Sequence, residues 1–446
     1  MALSGIEIYK LLPKTNCKEC GFPTCMAFAL KLAAKQVELA ACPYVSDEAK
    51  EELAASAEPP VRLVTIKANG NEAKAGNEVV LFRHEKTFYN KPGFFFRIRD
   101  DEDENAIKEK VKKIDTYQVN YVGIDLFVDG FAVEATSGDG TKFSAAISAV
   151  RSESKRPLIL IGSDPDVLEA GLNALDGEAP LIYAADESNW ETMTDLAMQY
   201  KASLVVKADS LEKLAELTPK IKEKGLADLV LDPGGRNFND SLLQNTIIRR
   251  LALGKNFRPL GFPIIAFPGD AKSPTTEVSL AAQAVAKYAG FIVMDTFAPE
   301  TIYPLLVLRE NIYTDPQKPI QVQPGLYEIN DPKGDDPVLV TTNFSITYFS
   351  VANEIEGSGN PAWLLVADAE GMSVLTAWAA GNFDAERIGK DVKNFEVESK
   401  VSNKRIIIPG AVAVISGELE EELPGWEIKV GPREAVDITA YLKQAL

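Results

Sequence analysis

The chain has 446 residues, with 65 acidic against 47 basic side chains and a formal charge of −18. Its 46% hydrophobic and 25% charged residues are ordinary globular values, and at ~100–200 residues per domain it has room for about three domains. The acidic balance excludes unassisted nucleic-acid binding and an anionic membrane surface as prime roles.

No basic leader followed by an apolar run opens the sequence, and no window approaches the ~18–20 uninterrupted apolar residues of a membrane span. A cytoplasmic location is therefore expected. All four cysteines fall near the start, as Cys17-Lys18-Glu19-Cys20-Gly21-Phe22-Pro23-Thr24-Cys25 and Cys42-Pro43. The spacing C-x2-C-x4-C-x16-C, closed by Cys-Pro, suits a 4Fe–4S cluster with Cys17, Cys20, Cys25 and Cys42 as ligands. A structural zinc site is the alternative, although zinc modules more often pair two C-x2-C units or mix Cys with His. Between Cys25 and Cys42 the pattern predicts a helix over 26–37, with Phe28, Leu32 and Val37 on one face.

Residues 51–60, rich in Ala and ending Pro59-Pro60, read as a tether. Two short strands are expected at 61–67 and 78–82, followed by the only histidine, His84, expected at the surface. From about residue 92, apolar runs at 94–98, 121–127, 157–162, 181–185, 203–207, 228–231, 263–267 and 291–294 alternate with helical stretches such as 105–114 and 211–224. Eight strands separated by helices predict a (β/α)8 TIM barrel. Acidic residues lie at many of the strand ends: Asp100, Asp125 (inside its run), Asp164, Asp186, Asp232 and Asp295. The loop Asp232-Pro233-Gly234-Gly235-Arg236-Asn237 is the most suggestive, because two glycines and an Arg could hold an anion, with ordinary turns and caps as the competing reading.

Proline-rich connections at 315–319, 323–325 and 331–337 mark a boundary. Beyond it, strands at 338–341, 362–367, 405–408 and 426–430 alternate with helices at 344–356, 373–380, 385–394 and 433–444. This predicts an open, Rossmann-like parallel sheet. Four segments then meet at its carboxyl edge: Thr341-Thr342-Asn343, 368–374, Pro409-Gly410-Ala411 and Gly431-Pro432-Arg433-Glu434. None carries the G-x-G-x-x-G dinucleotide fingerprint. The expected organisation is a cluster domain at 1–58, a linker with short strands at 59–92, a barrel at 93–315 and an α/β domain at 325–446.

The cysteine motif, Leu231-Asp232-Pro233-Gly234-Gly235, Thr341-Thr342-Asn343-Phe344-Ser345 and Ala369-Glu370-Gly371-Met372-Ser373-Val374 occur in this order along the chain. Together they resemble the large subunits of the corrinoid iron–sulfur proteins of the reductive acetyl-CoA pathway. The resemblance implies a corrinoid-binding C-terminal domain, with contacts from Thr341, Thr347, Glu370, Gly371, Met372, Ser373, Val374, Gly431, Arg433 and Glu434. It also implies a heterodimer with a small subunit. The cobamide would cycle between Co(I) and methyl-Co(III), taking methyl from methyltetrahydrofolate through a methyltransferase and delivering it to acetyl-CoA synthase/CO dehydrogenase. The sole histidine lies outside the C-terminal unit and lacks the D-x-H-x-x-G context. A base-off cobamide without a protein His ligand is thus expected, and the 4Fe–4S cluster would reactivate Co(II). On this reading the chain is a methyl-carrying component rather than a self-contained enzyme. Two other readings remain: a pterin-binding barrel methyltransferase with a structural cluster, and a cluster-bearing electron-transfer adaptor.

Overall fold

The computed structural model describes residues 5–33, 37, 39–46, 49–50, 53, 59–121, 123–175, 177–315 and 320–445. Most of the 51–60 tether and residues 316–319 lie outside the described residues, as do 34–36 of the first predicted long helix. Two compact units are present: residues 1–117 with 127–313, and residues 118–126 with 314–446. No helix among the described residues is long and apolar enough to cross a membrane.

In the first unit, helices Gly5–Leu11 and Cys25–Ala33 pack around Ile8, Leu12, Phe28 and Ala29. Then β1 (Val64–Ala68) and β2 (Asn71–Ala75) form an antiparallel hairpin. The second strand is thus at 71–75, not at 78–82. Asn69 and Gly70, both at positive φ (47° and 86°), close a two-residue turn where a longer loop was expected.

The barrel begins with β3 (Gly93–Arg99). Next come β4 (Gln118–Tyr121) and β5 (Ile124–Phe127), a separate two-stranded sheet assigned to the second unit. The run at 121–127 is therefore not a barrel strand: Asn120 Oδ1 accepts from the Gly123 N–H and breaks it. The barrel continues with β6 (Gly130–Glu134), β7 (Leu158–Ile161), β8 (Leu181–Ala185), β9 (Ser203–Lys207), β10 (Leu229–Asp232), β11 (Ile264–Ala266) and β12 (Ala289–Met294). With β3 these strands close into an eight-stranded parallel barrel.

Period-two alternation sends Phe95, Ala132, Ile159, Leu181, Val205, Val230, Ile265 and Phe291 into one interior core. The hairpin contributes Val64, Ile66, Ala73 and Ala75 to the same core. Lys67 exchanges backbone hydrogen bonds with Ala179, just before β8, at 2.9 and 3.0 Å. The hairpin is thus the floor of the barrel at its amino end.

The second unit holds a five-stranded sheet of β13 (Gly325–Ile329), β14 (Val338–Thr342), β15 (Ala362–Ala367), β16 (Arg405–Ile408) and β17 (Glu427–Val430), in the order β13-β15-β14-β16-β17. Four strands are parallel. β13, to which the sequence reading assigned no strand, is an antiparallel edge strand on β15. One face packs Val338, Val340, Leu365 and Ile406 against helices Ala385–Asn394 and Ser416–Glu422. The other packs Leu339, Leu364, Val366 and Ile407 against Ser345–Ser358 and Ile438–Ala445. Helix Ile438–Ala445 starts later than the predicted 433–444, because a 3-10 turn at Ala435–Asp437 precedes it.

Candidate functional site

The cysteine loop is shaped by its backbone. Asn16, Lys18 and Gly21 sit at positive φ (50°, 68° and 82°), and Asn16 Oδ1 accepts from the Cys25 N–H at 2.8 Å. Thr24 caps the helix that begins at Cys25, its Oγ1 accepting from Ala27 N–H. Cys25 and Cys42 are buried in one small apolar core, Cys20 packs against it, and Cys17 is exposed. Among the described residues no three Cys, His, Asp or Glu side chains are gathered closely enough for a single metal ion. An iron–sulfur cubane spreads its thiolates wider than one ion does. The left-handed positions at Asn16, Lys18 and Gly21 turn the chain tightly around Cys17, Cys20 and Cys25. With Cys42 these four free thiols are the all-thiolate donor set such a cluster takes, so these residues fit one.

At the carboxyl end of the barrel the same inward parity that carries Phe95 carries Arg97 and Arg99. The outcome is a linked set of ions. Asp232, fully buried, accepts from Arg236 Nη1 and Gly234 N–H at Oδ1, both at 2.9 Å. Its Oδ2 accepts from Arg236 Nη2 at 2.7 Å and Tyr183 Oη at 2.8 Å. Arg236 also donates to Asp270, which accepts from Arg97 at 2.6 Å, and Arg99 holds Asp295 at 2.8 Å. Burial alone would raise the Asp232 carboxyl. The Arg236 guanidinium outweighs that, helped by Gly234 and Tyr183, and holds it below the usual carboxylate range. Burial, then Asp232, pushes the Tyr183 phenol up. All four lone-pair positions of Asp232 are engaged, leaving it nothing to offer an incoming pterin.

The remaining acidic positions serve the chain itself. Asp100 accepts from Thr136 and Ser137, Asp164 caps helix Pro165–Asn173, and Asp186 accepts from Ser188. Asp125 lies on the β4–β5 hairpin, bonded by Asn120, not at a barrel strand end.

In the second unit, β14 sits between β15 and β16, so the chain leaves it toward opposite edges. This is the topological switch point where open α/β sheets take ligands. A cavity of about 270 Å³ opens there. Thr341, Thr347, Val374, Gly431, Arg433 and Glu434 line it, whereas Glu370, Gly371, Met372 and Ser373 do not. Met372 packs on the apolar core instead, and the Ser373 hydroxyl pairs with Thr376 at 3.0 Å. Leu339, Ile346, Ser350, Ile407 and Ile438 are further lining residues that spacing did not single out; strand parity from Thr341 reaches Leu339.

The backbones after β16 and β17 touch. A Cβ on Gly410 would lie 2.4 Å from the Gly431 carbonyl oxygen, so only glycine fits. Thr341 is fully buried and its Oγ1 has no hydrogen-bond partner among the described residues. Around this edge Ile346, Leu375, Val414 and Val436 are 67%, 51%, 71% and 68% exposed, each on a segment leaving a parallel strand. An unpartnered hydroxyl in a cavity of mixed lining, apolar residues beside Thr347, Ser350, Arg433 and Glu434, with an apolar brim, fits a large, mixed-polarity organic group such as a corrinoid.

The cysteine loop, the barrel closed by its own ions and the open sheet with its cavity define a multidomain α/β protein of the cofactor-holding class. The chain belongs to the family of corrinoid/iron–sulfur protein large subunits and acetyl-CoA decarbonylase/synthase gamma subunits. It is 45% identical to the corrinoid/iron-sulfur protein large subunit of Moorella thermoacetica, over 100% of both chains. It is 36% identical to the acetyl-CoA decarbonylase/synthase complex subunit gamma of Archaeoglobus fulgidus, over 99% of this chain and 98% of that one. The family model of the CO dehydrogenase/acetyl-CoA synthase delta subunit matches residues 63–442, and the model described as "Putative Fe-S cluster" matches 12–44. Among solved structures, 7,8-dihydropteroate synthase from Vibrio fischeri ES114 superposes with a TM-score of 0.40 at 13% identity, covering 57% of this chain and 100% of that one.

Proposed function

We propose that this chain is the corrinoid-bearing, methyl-carrying subunit of an acetyl-CoA-forming system. Cys17, Cys20, Cys25 and Cys42 hold a 4Fe–4S cluster. The cavity at the carboxyl edge of the C-terminal sheet receives a base-off cobamide. When bound, the corrinoid supplies a cobalt that accepts and releases a methyl group, and the cluster supplies the electron that restores an oxidised cobalt. The observation that carries this reading is the fully buried Thr341 hydroxyl, unpartnered among the described residues, in a cavity at the sheet's switch point.

The chain's own residues set the cofactor's surroundings. The Gly410–Gly431 contact brings two backbones to the cavity, Thr341 offers a hydroxyl, and the described residues of this unit contain no histidine to ligate cobalt. Its partners on this reading are a small subunit that completes the heterodimer, a methyltetrahydrofolate:corrinoid methyltransferase and acetyl-CoA synthase/CO dehydrogenase, all in the cytoplasm.

The test is anaerobic purification of the full-length chain with its small subunit after reconstitution with cobamide, iron and sulfide. Corrinoid absorption with one cobalt and about four irons per chain is expected. Iron without cobalt would favour an electron-transfer adaptor and overturn the proposal.

A further inference from the structure

Asn343 is 1% exposed and follows β14 at the point where the cavity's walls separate. Its Oδ1 accepts from two buried N–H groups, Ala369 and Gly371, both at 2.9 Å. Its Nδ2 donates to Asp368 Oδ1 at 3.1 Å and to Gln321 Oε1 at 3.2 Å. The backbone completes the junction: Asn343 N–H donates to Ala367, and its carbonyl accepts from Val322 N–H at 2.9 Å. One side chain thus joins the strand bearing Thr341, the loop 368–373 that leads to Val374, and the segment entering β13.

We infer that Asn343 is the positioning residue of the corrinoid cavity, holding the Thr341 and Val374 walls at the separation the ligand needs without touching the ligand itself. The inference rests on the proposed cobamide site. An amide is the required group, because the junction demands one acceptor for two N–H groups and one donor facing a carboxylate. A carboxylate at 343 keeps the acceptor but faces Asp368; alanine keeps neither.

The exchange Asn343→Asp with Asp368→Asn restores the pattern in reverse. In the double variant the carboxylate at 343 accepts from Ala369 and Gly371 and the amide at 368 donates back to it, but the Glu370 N–H loses its acceptor, because it shares Asp368 Oδ1 with Asn343 at 3.2 Å.

The experiment uses the full-length chain with its small subunit, titrated with cobamide and followed by absorbance, alongside amide hydrogen exchange at 369–371. Asn343→Ala and Asn343→Asp should each raise the dissociation constant about tenfold and speed exchange at 369–371, leaving iron content unchanged. Relative to Asn343→Asp, the double exchange should recover affinity and the protection of the Ala369 and Gly371 amides, while the Glu370 amide stays fast. Faster exchange with unaltered affinity, or recovered exchange without recovered affinity, would overturn the inference. Should Asn343→Ala fail to fold, the Asn343→Asp single and double variants decide alone. A parent complex that takes up no cobamide would instead remove the proposed function.

Discussion

Arg236 lays both terminal guanidinium nitrogens on the Asp232 carboxylate, at 2.9 and 2.7 Å, across a single turn of chain. Asp232 has no exposed side-chain surface, while Arg236 retains 29%. The two deletions are therefore unequal. Arg236→Met strands a buried carboxylate and should destabilise the barrel by about 3–5 kcal/mol. Asp232→Asn keeps an acceptor for Gly234 and leaves Arg236 its bond to Asp270, so the loss should be about 1–3 kcal/mol. Urea denaturation measures both, and equal losses would contradict the asymmetry.

The same carboxylate sets an acid limit. Its folded-state pKa is depressed, so the unfolded chain takes up the proton first. The associated stability is present above the unfolded value of ~3.9 and lost as pH falls through the folded one. Urea midpoints of the parent should fall below pH ~4 more steeply than those of Asp232→Asn. Parallel pH profiles would show that Asp232 does not carry the effect.

Thr341 and Thr342 form an internal control. Among the described residues neither fully buried hydroxyl has a partner, but of the two only Thr341 lines the cavity. Valine at either position should stabilise the cofactor-free chain by about 1 kcal/mol. Cobamide affinity should fall several-fold for Thr341→Val alone, by calorimetry or absorbance titration.

Cys20→Ala should leave methyl transfer from already reduced cofactor nearly intact while blocking rescue of oxidised cofactor. Paired assays with and without a chemical reductant separate the two. Equal loss of both in a folded, cobalt-replete sample would refute the division of labour.

His84 is exposed and stacks on Phe82 with ring centroids 5.6 Å apart. His84→Ala should leave the cobalt spectrum of the loaded complex unchanged, and a shifted Co(II) resonance would place a nitrogen ligand where none is expected.

The sequence made the barrel legible through its strand–helix alternation, yet the run at 121–127 was misleading. Its apolar residues Tyr121 and Ile124 pack against the C-terminal core, and hydropathy does not say which core a residue joins. The true strand Gly130–Glu134 hides behind the glycine at its head. β13 was missed because Pro324 and Gly325 resemble punctuation, and an edge strand tolerates both. In the site, the segments around Thr341, Val374 and Gly431 stood out by composition. The contributions of Asn343, Tyr183 and Asp270 come from pairings 22 to 173 residues distant in sequence, such as Asn343 with Gln321, Tyr183 with Arg236 and Asp270 with Arg97, and no local pattern announces those.

The hairpin Val64–Ala75 is made before every stave it will support. During vectorial synthesis Val64, Ile66, Ala73 and Ala75 leave the ribosome without the barrel strands they pack against, and the last of those partners, β12, emerges more than two hundred residues later. At ~5–20 residues per second that wait lasts ten seconds or more, during which a greasy two-stranded ribbon is open to nascent-chain chaperones.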